Sequence, residues 1–294
     1  MKAGSVNAKA TELARSLIKP GASLIEIATK VEACIKENGV GLSFPVNISI
    51  NNCAAHYSPP IDDASILPDE GIVKIDVGGH VDGYISDHAI SVDIDNSGGK
   101  IRKLIDTSER ALEAAIKQFK PGNDVLQVGA VIEKTIKNAG FLPIRNLGGH
   151  SLEQFVLHSG TFVPNVGSGQ SYIIKEGDAF AIEPFATDGA GFVVDGPEWY
   201  IFRFKKRPKR QVSFQLKMMI EKIRKNYNNL PFSPRWLHGI TKKATIDGAI
   251  KKLISLDVLE GYKILMEHKG GKVSQAEHTV IVNESNAEIT TKIA

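Results

Sequence analysis

The chain has 294 residues, 42% apolar and 23% charged, with two cysteines and a net charge of +3. A chain of this size and balance buries a core without disulfides or a structural metal, which excludes disordered, collagen-like and coiled-coil architectures. No apolar run approaches the roughly 18 residues of a membrane span, the start MKAGSVNAKATELARS lacks a signal-peptide core, and Cys34 and Cys53, not spaced as CxxC, exclude a cysteine zinc site and fit a reducing cytoplasm.

In chain order, residues 6–18 read as a helix, and a second begins after KPGASLIEIATKVEACIKENGV opens at Lys19. KPGNDVLQVGAVIEKTIKNAGF opens at Lys120, 101 residues later, and is preceded by its own helix at 100–118. Lys-Pro-Gly, Glu32/Glu133, Ile35/Ile136, Lys36/Lys137 and Gly39/Gly140 are identical between the copies. Pro-Gly punctuates each start, Ser23 or Asp124 can cap it, and Gly39 or Gly140 can end it. Matching punctuation around the same apolar phase reads as a duplicated α/β half. Between the copies, Gly71–Ile94 holds two strand-like runs around Asp82-Gly83, a hairpin signal. DAFAIEPFAT (178–187) reads as a further strand. Two short helices then occupy a basic segment, and KILMEHKGGKVSQAEHTVIVN reads as a second hairpin turning at Gly270-Gly271. This order of elements indicates α+β rather than a doubly wound sheet.

Charge is unevenly spread. Residues 203–252 hold fifteen Lys or Arg against Glu221 and Asp247, so the segment is +13 and the remainder about −10. A basic insert stands on an acidic body.

Four carboxylates lie inside apolar strand-like runs: Asp76 in IVKIDVG, Asp87 in YISDHAI, Glu183 in FAIEPF and Glu277 in SQAEHTVIV. Acidic residues are poor strand formers and costly to bury unpaired. Four that converge would repel one another unless cations neutralise them, which points to hard or borderline divalent metals, two ions sooner than one. His56, His150 beside Gly148-Gly149, and His158 are read as loop histidines able to join them. Strand alternation turns His88 and His278 to the opposite face, a structural position. The sequence contains no GxSxG, GxxxxGK[ST], strand-linked GxGxxG or HExxH, so serine-elbow, nucleotide-binding and helix-borne zinc chemistry are not indicated.

Over essentially its whole length the chain resembles the type II methionine aminopeptidases, without the long N-terminal extension of eukaryotic members. The matching segments are AAHYSP, KIDVGGHVDGYISDHA, NLGGHSLEQFVLHSG, AIEPFAT and QAEHTVIV. The resemblance implies the pita-bread fold of two pseudo-symmetric α/β halves, with 1–199 and 263–294 as the catalytic domain and 200–262 as the helical insert. It implies two divalent ions (Co, Mn, Fe, Zn or Ni): Asp76 on one, Asp87 and Glu277 bridging, His150 and Glu183 completing the other. A hydroxide held between them would attack the first peptide bond, Glu183 would carry the proton, and His158 and His56 would contact the reacting amide. Phe44, Leu157 and Ile201 would line the pocket for the side chain, Ile201 standing where some relatives place a histidine. The substrate implied is the N-terminal Met of nascent polypeptides, handled by a cytoplasmic monomer with no membrane partner. The basic insert would meet ribosomal RNA through phosphate attraction.

Two rivals remain at this point. Prolidases and aminopeptidases P share the ligand set, but normally carry a sizeable N-terminal domain, and only 75 residues precede Asp76. A non-catalytic ribosome- or RNA-binding relative would be expected to lose ligands, and all five are present.

Overall fold

The computed structural model describes residues 1–238 and 243–293, so positions 239–242 of the expected insert and residue 294 lie outside the described residues. The N-terminal half runs α1 (Lys2–Leu17), α2 (Leu24–Glu37), β1 (Gly41–Ile50), β2 (Cys53–Ala55), β3 (Ile72–Val81) and β4 (Tyr84–Asp93). The second half runs α3 (Gly99–Ile116), α4 (Val125–Asn138), β5 (Leu142–Pro143), β6 (Gly148–Ser151), β7 (Phe162–Pro164), β8 (Ala179–Ile182), β9 (Phe185–Thr187) and β10 (Val193–Phe204). Then come α5 (Phe214–Tyr227), a 3₁₀ turn (Pro234–Leu237), α6 (Lys243–Ser255), β11 (Leu259–Glu267), β12 (Val273–Gln275), β13 (His278–Val282) and β14 (Ala287–Ile289).

The duplication is visible in the backbone. Helices α2 and α4 begin and end 101 residues apart. Gly21 N–H donates to Leu67 O and Gly122 N–H to Ile174 O, both at 2.9 Å. Gly21 and Gly122 both have positive φ, as Gly39 and Gly140 do after the helices, a backbone region open to glycine at little cost. Capping differs between the copies. Asp124 accepts from Leu126 N–H within a capping box closed by Gln127, whereas Ser23 gives its helix no side-chain bond. Each helix pair covers its own strands. Ala10, Ile27, Val31 and Ile35 pack on Val46, Ile48, Val73 and Ile75 in one core. Leu104, Ile105, Val128 and Ile132 pack on Phe180, Ile182 and Val280 in the other.

Strands β1-β3-β4 form one antiparallel sheet and β14-β13-β8-β6-β7 another. They meet along an irregular antiparallel seam between β4 and residues 275–279. One direct backbone bond crosses it, Glu277 N–H to Ala89 O at 3.0 Å. On either side hydroxyls stand in for backbone groups. Thr279 Oγ1 accepts from Asp87 N–H at 2.7 Å and donates to Asp87 O at 2.8 Å. Ser91 Oγ accepts from Gln275 N–H at 2.8 Å and donates to Gln275 O at 2.7 Å. A side-chain oxygen lengthens each bridge by a few bonds, so β4 joins β13 of the five-stranded sheet through Thr279 and β12 of the β12-β9-β5 sheet through Gln275 without a continuous ladder.

The expected hairpin at Asp82-Gly83 is the β3–β4 pair, in register from Ile72↔Asp93 to Val81↔Tyr84. The second expected hairpin does not form. Strand β11 pairs with β10 and β2, while β12 pairs with β9. The Gly270-Gly271 turn instead moves the chain from one sheet to another, fastened by buried Glu267, whose Oε2 accepts from Lys269 and Gly271 N–H at 2.8 and 2.9 Å. The limits 200 and 262 expected for the insert fall inside β10 and β11, whose ladder ends at Phe204↔Leu259. Its helical part closes around Met219, Ile220, Ile223, Phe232, Ile246 and Leu253. Among the described residues no helix is long and apolar enough to cross a membrane.

Candidate metal centre

Asp76 and Asp87 point the same way from neighbouring strands. Asp76 pairs with Ala89 and Asp87 with Gly78, two residues apart on a face whose side chains alternate. The seam then brings Glu277 beside Asp87, because Glu277 N–H is bonded to Ala89 O. Glu183 and Glu277 do not lie within strands as the apolar runs suggested. Glu183 sits in the break between β8 and β9, and Glu277 in the break between β12 and β13. His150 was expected on a loop but lies in β6, opposite Ala181 of β8. Gly149 leaves room there for the β8 backbone, since a Cβ on it would stand 2.2 Å from Ala181 O.

These groups converge. Ligand atoms of Asp87, His150 and Glu277 lie within 4.8 Å of one another. His150 Nε2 is 3.6 Å from Asp87 Oδ2 and 3.6 Å from Glu183 Oε1. Asp76, Asp87, Glu277, His150, Glu183, His56, His158, Phe44, Leu157 and Ile201 all line one cavity that is open to solvent. Phe44 and Leu157 meet Leu152 and Ala181 in a small apolar cluster on its wall. His56 follows β2 with a left-handed φ of 69°. His158 stands in a bend, its ring 4.2 Å from that of His150. His88 and His278 stack on each other at 4.9 Å outside this cavity, along the opposite side of the seam.

Electrostatics explain why the cluster calls for cations. Burial, then the charge of neighbouring carboxylates, pushes Asp76, Glu183 and Glu277 well above the usual carboxylate range. Burial lifts Asp87 to about 7. Burial likewise lowers His150 to about 4 and His158 to about 2, keeping both rings neutral and able to ligate or to donate. Asp76 Oδ1, Asp87 Oδ1 and Glu277 Oε1 are buried without a hydrogen-bond partner among the described residues. Buried oxygens left unpaired, with an imidazole nitrogen beside them, form a donor set suited to divalent cations.

Ligation requires these acids and His150 to give up protons, so cation binding strengthens with pH. The raised carboxylates favour the metal-free fold below their unfolded pKa, and that contribution is lost as pH rises through their folded values, about 7 for Asp87. Added Mn²⁺ should therefore raise the thermal midpoint little near pH 5 and much more at pH 7.5. Differential scanning calorimetry at both pH values checks this; an equal shift at both would remove the carboxylates from the binding site.

Three participants escaped the sequence reading. Gln275 donates from Nε2 to Glu183 Oε2 and to Glu277 Oε2, both at 3.2 Å, so one amide orients two carboxylates. Its place two residues before Glu277 was the available signal. Tyr262 lines the cavity, with its ring edge-on to His56 at 5.5 Å. Asn47, opposite Asp76 in the β1–β3 ladder, also lines it.

Residues 1–284 match the model of metallopeptidase family M24. The methionine aminopeptidase of Methanothermobacter thermautotrophicus is 41% identical over 293 residues, which cover 99% of this chain and 97% of that protein. That of Saccharolobus solfataricus is 44% identical over 291 residues, with 99% and 96% coverage. The crystal structure of methionine aminopeptidase from Thermotoga maritima superposes with a TM-score of 0.72 at 23% identity, covering 99% of this chain and 94% of that one. The architecture is the pita-bread fold.

Proposed function

Since the chain belongs to metallopeptidase family M24, and its full-length relatives at 41–44% identity are methionine aminopeptidases, we propose that it removes the N-terminal methionine of peptides and nascent proteins by metal-dependent hydrolysis. The observation that carries this reading is the buried carboxylate–imidazole cluster opening into a cavity walled by Phe44, Leu157 and Ile201.

Divalent ions at this donor set would supply a nucleophile from water at neutral pH and polarise the scissile carbonyl. Asp76, Asp87, His150, Glu183 and Glu277 would hold them, and two ions suit the number of oxygens offered. Co, Mn, Fe, Zn and Ni all suit this mix of carboxylate and imidazole ligands. Glu183, held proton-prone by burial and by its acidic neighbours, takes the proton of the attacking water and passes it to the leaving amine. His158, neutral through burial, donates to the oxygen that gains charge. His56 Nδ1 lies 3.0 Å from Lys263 O, which can only accept, so Nδ1 carries the hydrogen and Nε2 of the neutral ring is left as an acceptor for the amide N–H of the substrate. Phe44, Leu157 and Ile201 favour one apolar, unbranched side chain.

The test is a mass-spectrometric digest of two peptides, one Met-Ala-Ser-rich and one Ala-Pro-rich, by protein stripped of metal and reloaded with Mn²⁺ or Co²⁺. Metal-dependent loss of one N-terminal Met from the first peptide alone is expected. Cleavage of the second alone would move the reading to Xaa-Pro chemistry. No cleavage with either metal would favour a binding role.

The expected working form is a cytoplasmic monomer that meets ribosomal RNA through its insert. Supporting this, Lys209, Arg210, Lys217, Lys222 and Lys225 are exposed on or next to α5. Reversing these five charges should weaken sedimentation with ribosomes and flatten its dependence on salt. Unchanged co-sedimentation of the reversed protein would refute an electrostatic contact.

A further inference from the structure

The insert meets α2 and the chain after His56 through one buried residue, Arg235, and reaches Asp62 at the surface through Lys243. Arg235, in the 3₁₀ turn, meets Glu32 of α2 in a two-pronged contact, Nη1 to Oε2 at 2.6 Å and Nη2 to Oε1 at 2.7 Å. Both side chains are more than nine-tenths buried. The Glu32 carboxylate also accepts from Trp236 Nε1 at 2.9 Å and from Val46 N–H at 3.2 Å. Trp236 packs against both the N-terminal core and the core of the insert.

The remaining donors of Arg235 reach the segment that carries His56. Nε donates to Pro59 O at 2.9 Å and Nη2 to Ser58 Oγ at 3.2 Å. His56 itself has a left-handed φ of 69°, unfavourable for a residue with a Cβ, and such a conformation persists only where its flanks are held. On one flank Ala55 is laddered to Leu265. On the other, Tyr57 O accepts from Ile48 N–H at 2.7 Å, and Arg235 grips the two residues beyond. The repeat supplies an internal comparison. Glu133, the counterpart of Glu32, accepts from Gly167 N–H at 3.0 Å and pairs with Lys137 at the surface, within its own half.

From this geometry we infer that Arg235, oriented by Glu32, is a positioning residue for His56, through which the basic insert sets the rate of the reaction. The inference rests on the role given above to His56. It extends that role to a residue some 180 positions away, and makes the insert a part of the site rather than an appendage.

Removing Arg235 alone strands a buried carboxylate and risks the fold, so the test uses Glu32→Gln with Arg235→Met, which leaves no unpaired charge and keeps an amide oxygen for one of the two donors, Trp236 Nε1 or Val46 N–H. Wild type, this double variant, His56→Ala and the triple variant, all loaded with Mn²⁺, are compared on a Met-Ala-Ser peptide. The double variant should lose roughly 10- to 100-fold in kcat with KM little changed, and should add no further loss in the His56→Ala background. Deuterium uptake at 55–60 should rise, while Mn²⁺ affinity by calorimetry stays unchanged. Equal fold-losses in both backgrounds, or unaltered uptake at 55–60, would overturn the inference while leaving the activity of the wild type in place. A wild type that releases no methionine overturns the proposed function and this inference together.

Discussion

Glu183→Gln should lower turnover by about 10²–10⁴-fold and at the same time raise the thermal midpoint of the metal-free protein. The two effects have one origin. Glu183 is buried, and its acidic neighbours Asp87 and Asp76 lift its pKa further, so the fold resists its ionisation. That resistance suits it to the proton transfer proposed for it, and it also makes the carboxyl a burden on the metal-free fold. An uncharged amide of the same shape relieves the repulsion and cannot shuttle the proton. Gln275, whose Nε2 already bonds Glu183 Oε2, can still reach the oxygen of the new amide. Steady-state rates on a Met-Ala-Ser peptide and calorimetry of the stripped protein test both halves. An active variant would remove Glu183 from proton transfer, and a lowered midpoint would contradict the repulsion.

Arg235→Ala should destabilise the fold by about 3–5 kcal/mol, the cost of leaving a buried partner charge unpaired. Among the described residues Glu32 would then keep only Trp236 Nε1 and Val46 N–H as donors. Pairing Glu32→Gln with Arg235→Met should recover part of that loss, because no buried charge is left unpaired and the amide oxygen still serves one of the two N–H donors. Urea unfolding midpoints of the two variants separate the cases. A single variant as stable as wild type would mean that the carboxylate reaches water when Arg235 is gone.

The carboxylates of the site were legible because acidic residues inside apolar runs violate strand preference, and the duplicated helices because glycine and proline punctuate both copies alike. Local pattern reached no further. Glu32 appears in the sequence only as one match in a repeat, and its partner Arg235 is an ordinary member of a basic segment. Their bond spans 203 residues, a separation no periodicity encodes. Ser91 and Thr279 look like common strand residues, and their use as bridges depends on two sheets meeting. Gly270-Gly271 misled because a Gly-Gly turn between apolar runs is also a hairpin signal. What decides its geometry is Glu267, gathering the turn's N–H groups onto one carboxylate.

The seam between the sheets has a kinetic consequence. Its hydroxyl bridges join residues 184–192 positions apart, and closing so long a stretch of chain is entropically unfavourable until many other contacts exist. Each half can cover its own strands with its own helices beforehand. The cluster of Asp76, Asp87, His150, Glu183 and Glu277 draws on both halves, so it cannot be complete before they dock. A chain still being synthesised therefore cannot bring these five side chains together until residue 277 has emerged.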